Sequence, residues 1–178
     1  VSPLMSEHGN TINLNEKLFE RVKVIYDMRD KLNLNVEDMQ LLQKTYDGFA
    51  DNGANLSDAD KETYRQLSTK LSMLTLQFGQ NVLKETNSWS LLIQDEKLLE
   101  GLPQDVMAML AINAKNENKE GWLLNLKATT YLPVMKYAEN RDIRRELYTA
   151  YSTRAMTGGE NDNREIIREI VNTRLQIA

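Results

Sequence analysis

A mainly α-helical fold, a multi-helical bundle around one long central helix with a small β element, is predicted by three observations on this 178-residue chain. Apolar residues recur at spacings of three and four over most of its length, as on one face of a helix. Three prolines and eight glycines are few, which favours helix over an all-β fold. Two short apolar runs, Trp89–Ile93 and Trp122–Leu126, stand apart from that pattern and are expected to pair as a small sheet of two or three strands. Period alone does not separate so short a run from helix.

The long helix is expected over about 57–87, inside LSDADKETYRQLSTKLSMLTLQFGQNVLKETNSW. Tyr64, Leu67, Leu71, Leu74, Phe78 and Val82 mark its apolar face. Ser57 with Asp60 makes a capping-box-like start, and the carboxylates suit the positive end of the helix dipole. Gly79 is the one weak point before Asn87. A helix of roughly 30 residues is about 45 Å long. A coiled-coil arm would carry a similar stripe, but Thr75, Gln77 and Gln80 leave the sides lightly charged, as suits a helix packed among others.

The other elements follow in order. Residues 1–12 read as irregular, broken by Pro3 and Gly9. Asn13 and Glu16 frame the start of a helix whose stripe is Leu14, Leu18, Val22, Ile25 and Met28, ending near Lys31. A second helix starts at Asn35 with Asp38, presents Met39, Leu42, Tyr46 and Phe49, and closes at Asn52-Gly53. The loop between the two is short, so they are expected to be antiparallel neighbours. Asp95–Gly101 reads as a charged helical turn. Leu102-Pro103 opens a helix carrying Val106, Met107, Leu110 and Ala114, and Lys115–Gly121 is a solvated loop. Lys127–Leu132 reads as a turn, with Pro133 opening a short helix that ends near Tyr137. Asn140 caps a helix with Ile143, Leu147, Ala150 and Tyr151 on one face. After a loop at Thr157–Glu160, Asp162 with Glu165 starts a last helix bearing Ile166, Ile167, Ile170, Val171 and Leu175. The expected organisation is one helical piece over 1–178: helices in 1–88, sheet and helix in 89–126, helices in 127–178. The last stripe runs into Ala178 without a stop signal, so a fragment of a longer chain is expected.

Composition narrows the function. Hydrophobic residues make 41% and charged residues 27%, ordinary for a globular chain. A net charge of −4 offers no footprint for nucleic acid and little attraction for anionic lipid. No apolar run approaches the roughly 20 residues of a membrane span. There is no cysteine, which excludes disulfides and thiolate catalysis and is compatible with cytosol or periplasm.

The chemistry-bearing residues are few. His8 is the only histidine, so neither a two-histidine zinc site nor H-E-x-x-H is possible here. Asp58, Asp60 and Glu62, like Glu160, Asp162 and Glu165, fall at helix starts, where capping accounts for them. Asp51–Asn55 is too short for a calcium loop, and Gly158-Gly159 lacks the Gly-Lys-Ser of a phosphate cradle. Arg141, Arg144, Arg145 and Arg154 are the densest basic group. They suit either a carboxylate or pairing with Asp142 and Glu146. Tyr131, Tyr137, Tyr148 and Tyr151 suit a cleft wall or a core edge. Trp89 and Trp122 are expected to stack at the edge of the small sheet. No catalytic or metal-binding residue is assigned within the chain, and substrate-binding residues are left open.

The run QLSTKLSMLTLQFGQNVLKETNSW resembles the long helix of the thimet oligopeptidase and peptidyl-dipeptidase family of zinc metallopeptidases, closest to the bacterial peptidyl-dipeptidase branch. The flanking stretches, LNEKLFERVKVIYDMRDKLNLNVEDMQLLQKTYDGFADNGANLSD before it and GWLLNLKATTYLPVMKYAENRDIRRELYTAYSTRA with DNREIIREIVNTRLQIA after it, resemble the same family in the same order. The resemblance implies a section of the N-terminal half of an enzyme that removes C-terminal dipeptides from short peptides. It implies part of the wall of a substrate channel, with zinc bound by residues outside this chain and none by the fragment itself. The implied partners are short peptides and the missing C-terminal catalytic half, without nucleic acid or membrane, in the cytoplasm or alternatively the periplasm. The competing reading from the residues alone is a stand-alone helical protein-binding or scaffold module.

Overall fold

At Asn15, Asn35, Ser57 and Asn140 a helix begins where a side chain accepts an otherwise unpaired backbone N–H. The computed structural model describes residues 2–178, and among them lie eight α-helices and one two-stranded sheet. The chain divides into two compact units, Val1–Leu76 with Arg168–Ala178, and Gln77–Ile167. Among the described residues no helix is long and apolar enough to cross a membrane.

The first unit opens with a departure from expectation. Ser2–Asn13 is a helix, α1, rather than irregular chain. Pro3 lies in the first turn, where its missing N–H removes no intrahelical bond. Gly9 weakens the helix without stopping it. Asn10 anchors the segment: it is buried, and its Nδ2 donates to Ser68 Oγ at 2.7 Å. The next helix, α2 (Glu16–Asp27), is capped by Asn15, whose Oδ1 accepts from Leu18 N, and not by Asn13, which ends α1. A short 3-10 turn at Arg29–Lys31 follows. The inward residues of α2 are Phe19, Val22 and Tyr26, while the expected Leu18, Ile25 and Met28 are exposed.

α3 (Val36–Asp51) starts as expected, with Asn35 Oδ1 accepting from Asp38 N at 2.8 Å. It ends in a Schellman arrangement: Gly53, at φ +87°, donates to Ala50 O, and Ala54 N donates to Phe49 O. Packing of α2 on α3 is aromatic. The Arg29 guanidinium sits 4.2 Å from the Tyr26 ring centre, Tyr26 stacks on Tyr46 at 3.9 Å, and Phe19 follows at 5.7 Å from Tyr46 and 6.0 Å from Phe49.

The long helix, α4 (Asp58–Ser88), is continuous through Gly79. Its box is made: Asp60 N donates to Ser57 Oγ, and Ser57 Oγ donates to Asp60 Oδ2 at 2.6 Å. Tyr64, Leu67, Leu71, Leu74 and Val82 are half-buried as expected, whereas Phe78 is exposed. Lys61, nearly buried, donates to Glu16 at 3.0 Å, which draws the Glu16 carboxyl below its ordinary pKa.

In the second unit, β1 (Ser90–Ile93) and β2 (Trp122–Asn125) pair antiparallel, Ser90 facing Asn125 and Ile93 facing Trp122. Gly121 enters β2 at φ +112°, where a Cβ would overlap the Ile93 carbonyl oxygen. Among the 3-10 residues Glu96–Leu99, Leu99 is buried. α5 (Gln104–Asn116) begins after Pro103 and packs against β2 through Val106, Leu110 and Ala114.

α6 (Ala128–Tyr137) begins five residues earlier than Pro133, so the proline lies inside the helix rather than at its start. The cost is the one bond that Thr129 O would have received from residue 133. Burial of Thr130 and Val134 supports the turns on either side. α7 (Arg141–Ser152) is capped as expected, with Asn140 Oδ1 accepting from Asp142 N and Ile143 N. α8 (Arg164–Ile177) has Asp162 at its entrance, but the bonds Asp162 makes are to Arg164 and Gly158 rather than the expected pair with Glu165. On α8, Ile167, Val171 and Leu175 are exposed, and Ile166, Ile170 and Thr173 turn inward.

Candidate functional site

α7 lines a cleft of the second unit. Its cap orients Ile143 and Leu147 into the core. The face that includes Asp142, Arg145, Glu146, Thr149 and Thr153 then lines an opening of about 630 Å³. Trp89, Leu126 and Ala150 give this cleft apolar surface, while Glu85, Arg154 and Thr157 complete its polar border.

The charges are unevenly engaged. Arg145 Nη2 pairs with Asp142 at 2.9 Å on the helix surface. Glu85 Oε1 accepts from Asn161 Nδ2 at 3.0 Å. Arg154 is held by neutral groups: Nε donates to Tyr151 O at 2.8 Å, Nη1 donates to Thr86 Oγ1 at 2.8 Å, and the guanidinium lies 3.7 Å from the centre of the Tyr151 ring. Tyr151 stacks in turn on Tyr131 at 3.9 Å, and burial pushes the Tyr131 phenol above its ordinary pKa.

The segment behind the cleft is pinned by a buried amide. Asn163 is fully buried; its Oδ1 accepts from Asn81 Nδ2 at 2.9 Å, and its Nδ2 donates to Phe78 O. Its backbone N donates to the carbonyl of Ala155, a residue with φ +56°. A buried amide pair so satisfied fixes chain geometry because leaving either partner unmade is costly.

The basic group of the sequence is dispersed. Arg145 and Arg154 reach the cleft, whereas Arg144 Nη1 donates to the carbonyls of Ala138 and Glu139. Of the tyrosines, Tyr131 and Tyr151 stack, while Tyr137 and Tyr148 are exposed. Trp89 and Trp122 each pack against the core; among the described residues they do not stack on one another, because Trp122 sits in β2 and Trp89 precedes β1 at the cleft. Of the acids expected at helix starts, Asp58 and Asp60 lie in the first turn of α4 and Glu165 in that of α8, and the atom that accepts the α4 backbone N–H is Ser57 Oγ. Glu85, Thr86 and Asn81 carry no signal in the sequence; only their position late on α4 brings them to residues 68 to 82 positions later.

This donor set does not fit zinc. His8 is exposed on α1, and among the described residues no three histidine or carboxylate side chains gather into a metal-binding group. The cleft places apolar surface from Trp89, Leu126 and Ala150 beside the cations Arg145 and Arg154.

Comparison with known proteins gives this geometry a setting. The chain is 34% identical over 180 residues, 99% of its length, to oligopeptidase A of Salmonella typhimurium. It is 34% identical over 175 residues to the dipeptidyl carboxypeptidase of Escherichia coli, with 98% of the chain covered. The chain matches a segment of the thimet oligopeptidase and peptidyl-dipeptidase family. A plant relative, the probable cytosolic oligopeptidase A of Arabidopsis thaliana, is 32% identical across the whole chain. The chain spans 26% of the length of each of these three relatives. No family model matches the sequence. The segment these relatives share with the chain is one of helices and a small hairpin, carrying a cleft and, among the described residues, no metal-binding group.

Proposed function

We propose that this chain is a section of a zinc metallopeptidase that removes C-terminal dipeptides from short peptides. In this reading it forms part of the substrate-channel wall and is not itself catalytic. Zinc would be held by residues outside positions 1–178 and would supply a polarised water for peptide-bond hydrolysis. The observation that carries the reading is the similarity, over almost the whole chain, to both an oligopeptidase A and a dipeptidyl carboxypeptidase. The proposal puts the parent protein in the cytoplasm, by likeness to the plant relative described as probably cytosolic.

The test is an assay of the 178-residue chain and of the protein from its complete reading frame, against short N-blocked peptides with product analysis by mass spectrometry. Release of C-terminal dipeptides by the longer protein only, abolished by a zinc chelator and restored by zinc, is the expected result. Hydrolysis by the 178-residue chain itself, or chelator-insensitive activity, overturns it.

A further inference from the structure

We propose that Arg154 is a docking point for a carboxylate of a bound peptide in the cleft of the second unit. The inference rests on the peptide-substrate reading above. A guanidinium carries five N–H donors. Two of them are spent on Tyr151 O and Thr86 Oγ1, and its face is spent on the Tyr151 ring. These three restraints fix the plane of the group before any ligand arrives, so little side-chain freedom remains to be lost on binding. The remaining donors, both of those on Nη2 among them, have no carboxylate partner. Among the described residues no Asp or Glu oxygen lies within 4.0 Å of Arg154, whereas Arg145 and Arg164 each have one.

The surroundings favour a carboxylate on a peptide over a small inorganic anion. Trp89, Leu126 and Ala150 offer apolar surface in the same cleft. Two of the three acids on its walls are engaged, Asp142 by Arg145 and Glu85 by Asn161. Glu146 is the remaining acid on the wall and disfavours anions that lack a second, apolar contact to hold them at Arg154. A planar guanidinium grips a carboxylate through two parallel N–H bonds, a geometry that a lysine in its place could not reproduce.

The carboxylate could belong to the C-terminus of a peptide or to an acidic side chain, and three ligands separate the two. The 178-residue chain is titrated, with Trp fluorescence and NMR shifts as readouts, with an N-acetylated hexapeptide of neutral residues, its C-terminal amide, and an amide carrying one internal Glu. The expected result is that the free acid binds about 10-fold more tightly than the neutral amide. Arg154→Gln should erase that difference. Arg154→Lys, which keeps the charge and most of the stem, should retain only part of it, and Thr86→Val should weaken acid binding by a smaller factor. Circular dichroism of each variant monitors folding. If the Glu amide binds like the acid, either carboxylate serves; if it binds like the neutral amide, the C-terminus is the ligand. Equal binding of acid and amide, a preference that survives in folded Arg154→Gln, or no saturable binding of any of the three overturns the proposal. These outcomes are independent of hydrolysis: a complete enzyme that cleaves peptides while Arg154 ignores the carboxylate leaves the peptidase reading intact, and an inactive one leaves the binding result standing.

Discussion

Ten buried aliphatic residues, from Ile93 in β1 to Leu147 in α7, form the core of the second unit. In the first unit α3 buries no residue fully and α2 buries only Phe19. There the elements are joined by an aromatic row and by polar ties, Asn10 to Ser68, Lys61 to Glu16 and Lys70 to Glu169. Large apolar side chains such as Val36, Leu41 and Leu4 remain in solvent. The same helical periodicity has thus produced two kinds of packing. One is a closed aliphatic core in which each side chain is surrounded. The other is a set of half-covered faces joined by polar ties, of which the exposed pair of Lys70 and Glu169 adds little on its own. Regions of the second kind open at lower free energy than those of the first.

The comparison can be broken most directly at Leu110, which is fully buried on α5. Leu110→Ala should cost about 2–5 kcal/mol in urea denaturation, the range for an aliphatic side chain whose cavity cannot collapse. A loss under about 1 kcal/mol would mean that the core is looser than its burial indicates. A smaller effect is expected in the first unit. Phe19→Leu preserves apolar bulk while removing the ring between Tyr46 and Phe49, and should cost about 1 kcal/mol. A Phe19/Tyr46 double-mutant cycle with no coupling would remove the aromatic row as the basis of that unit.

The smallest effect concerns pH. The Arg164 side chain, bonded to Asp162, holds the Asp162 carboxyl well below its ordinary value of 3.8. A carboxyl depressed in the folded state contributes stability that is present above its ordinary pKa and is lost as pH falls below it. Asp162→Asn should therefore flatten the acid limb of the stability profile, below about pH 4, and leave its shape unchanged near neutrality. Glu16 is depressed in the same direction by Lys61, so an unchanged limb in Asp162→Asn would assign the acid sensitivity to the first unit instead.

The features legible in the sequence were those settled within one helical turn. The caps at Asn35, Ser57 and Asn140 are bonds between residues two or three apart, and the α3 stop needs only Gly53. The two strands are displaced by at most one residue from the apolar runs that announced them. What the sequence hid depends on distant partners. α1 contains Pro3 and Gly9, yet it is held by Asn10 bonding a residue 58 positions away. Pro133 fits a helix start by local rules, but α6 begins at Ala128, with Thr130 and Val134 buried along it. At the cleft, Tyr151 and Arg154 are one turn apart, and the guanidinium lies over the ring. The Thr86 hydroxyl that fixes the guanidinium lies 68 residues earlier.

The close of α3 bears on how this protein ages. Asn-Gly is the dipeptide in which a backbone nitrogen most readily attacks the preceding side-chain amide, releasing ammonia through a succinimide. At Asn52-Gly53 the attacking nitrogen is committed to Ala50 O, and the Asn52 amide is drawn away toward Gly48 O at 2.7 Å. Gly53 is itself buried against Leu14 and Leu56. Cyclisation thus requires the end of α3 to come undone first. The rate at which acidic isoforms accumulate in stored protein becomes a slow chemical clock for openings of the first unit.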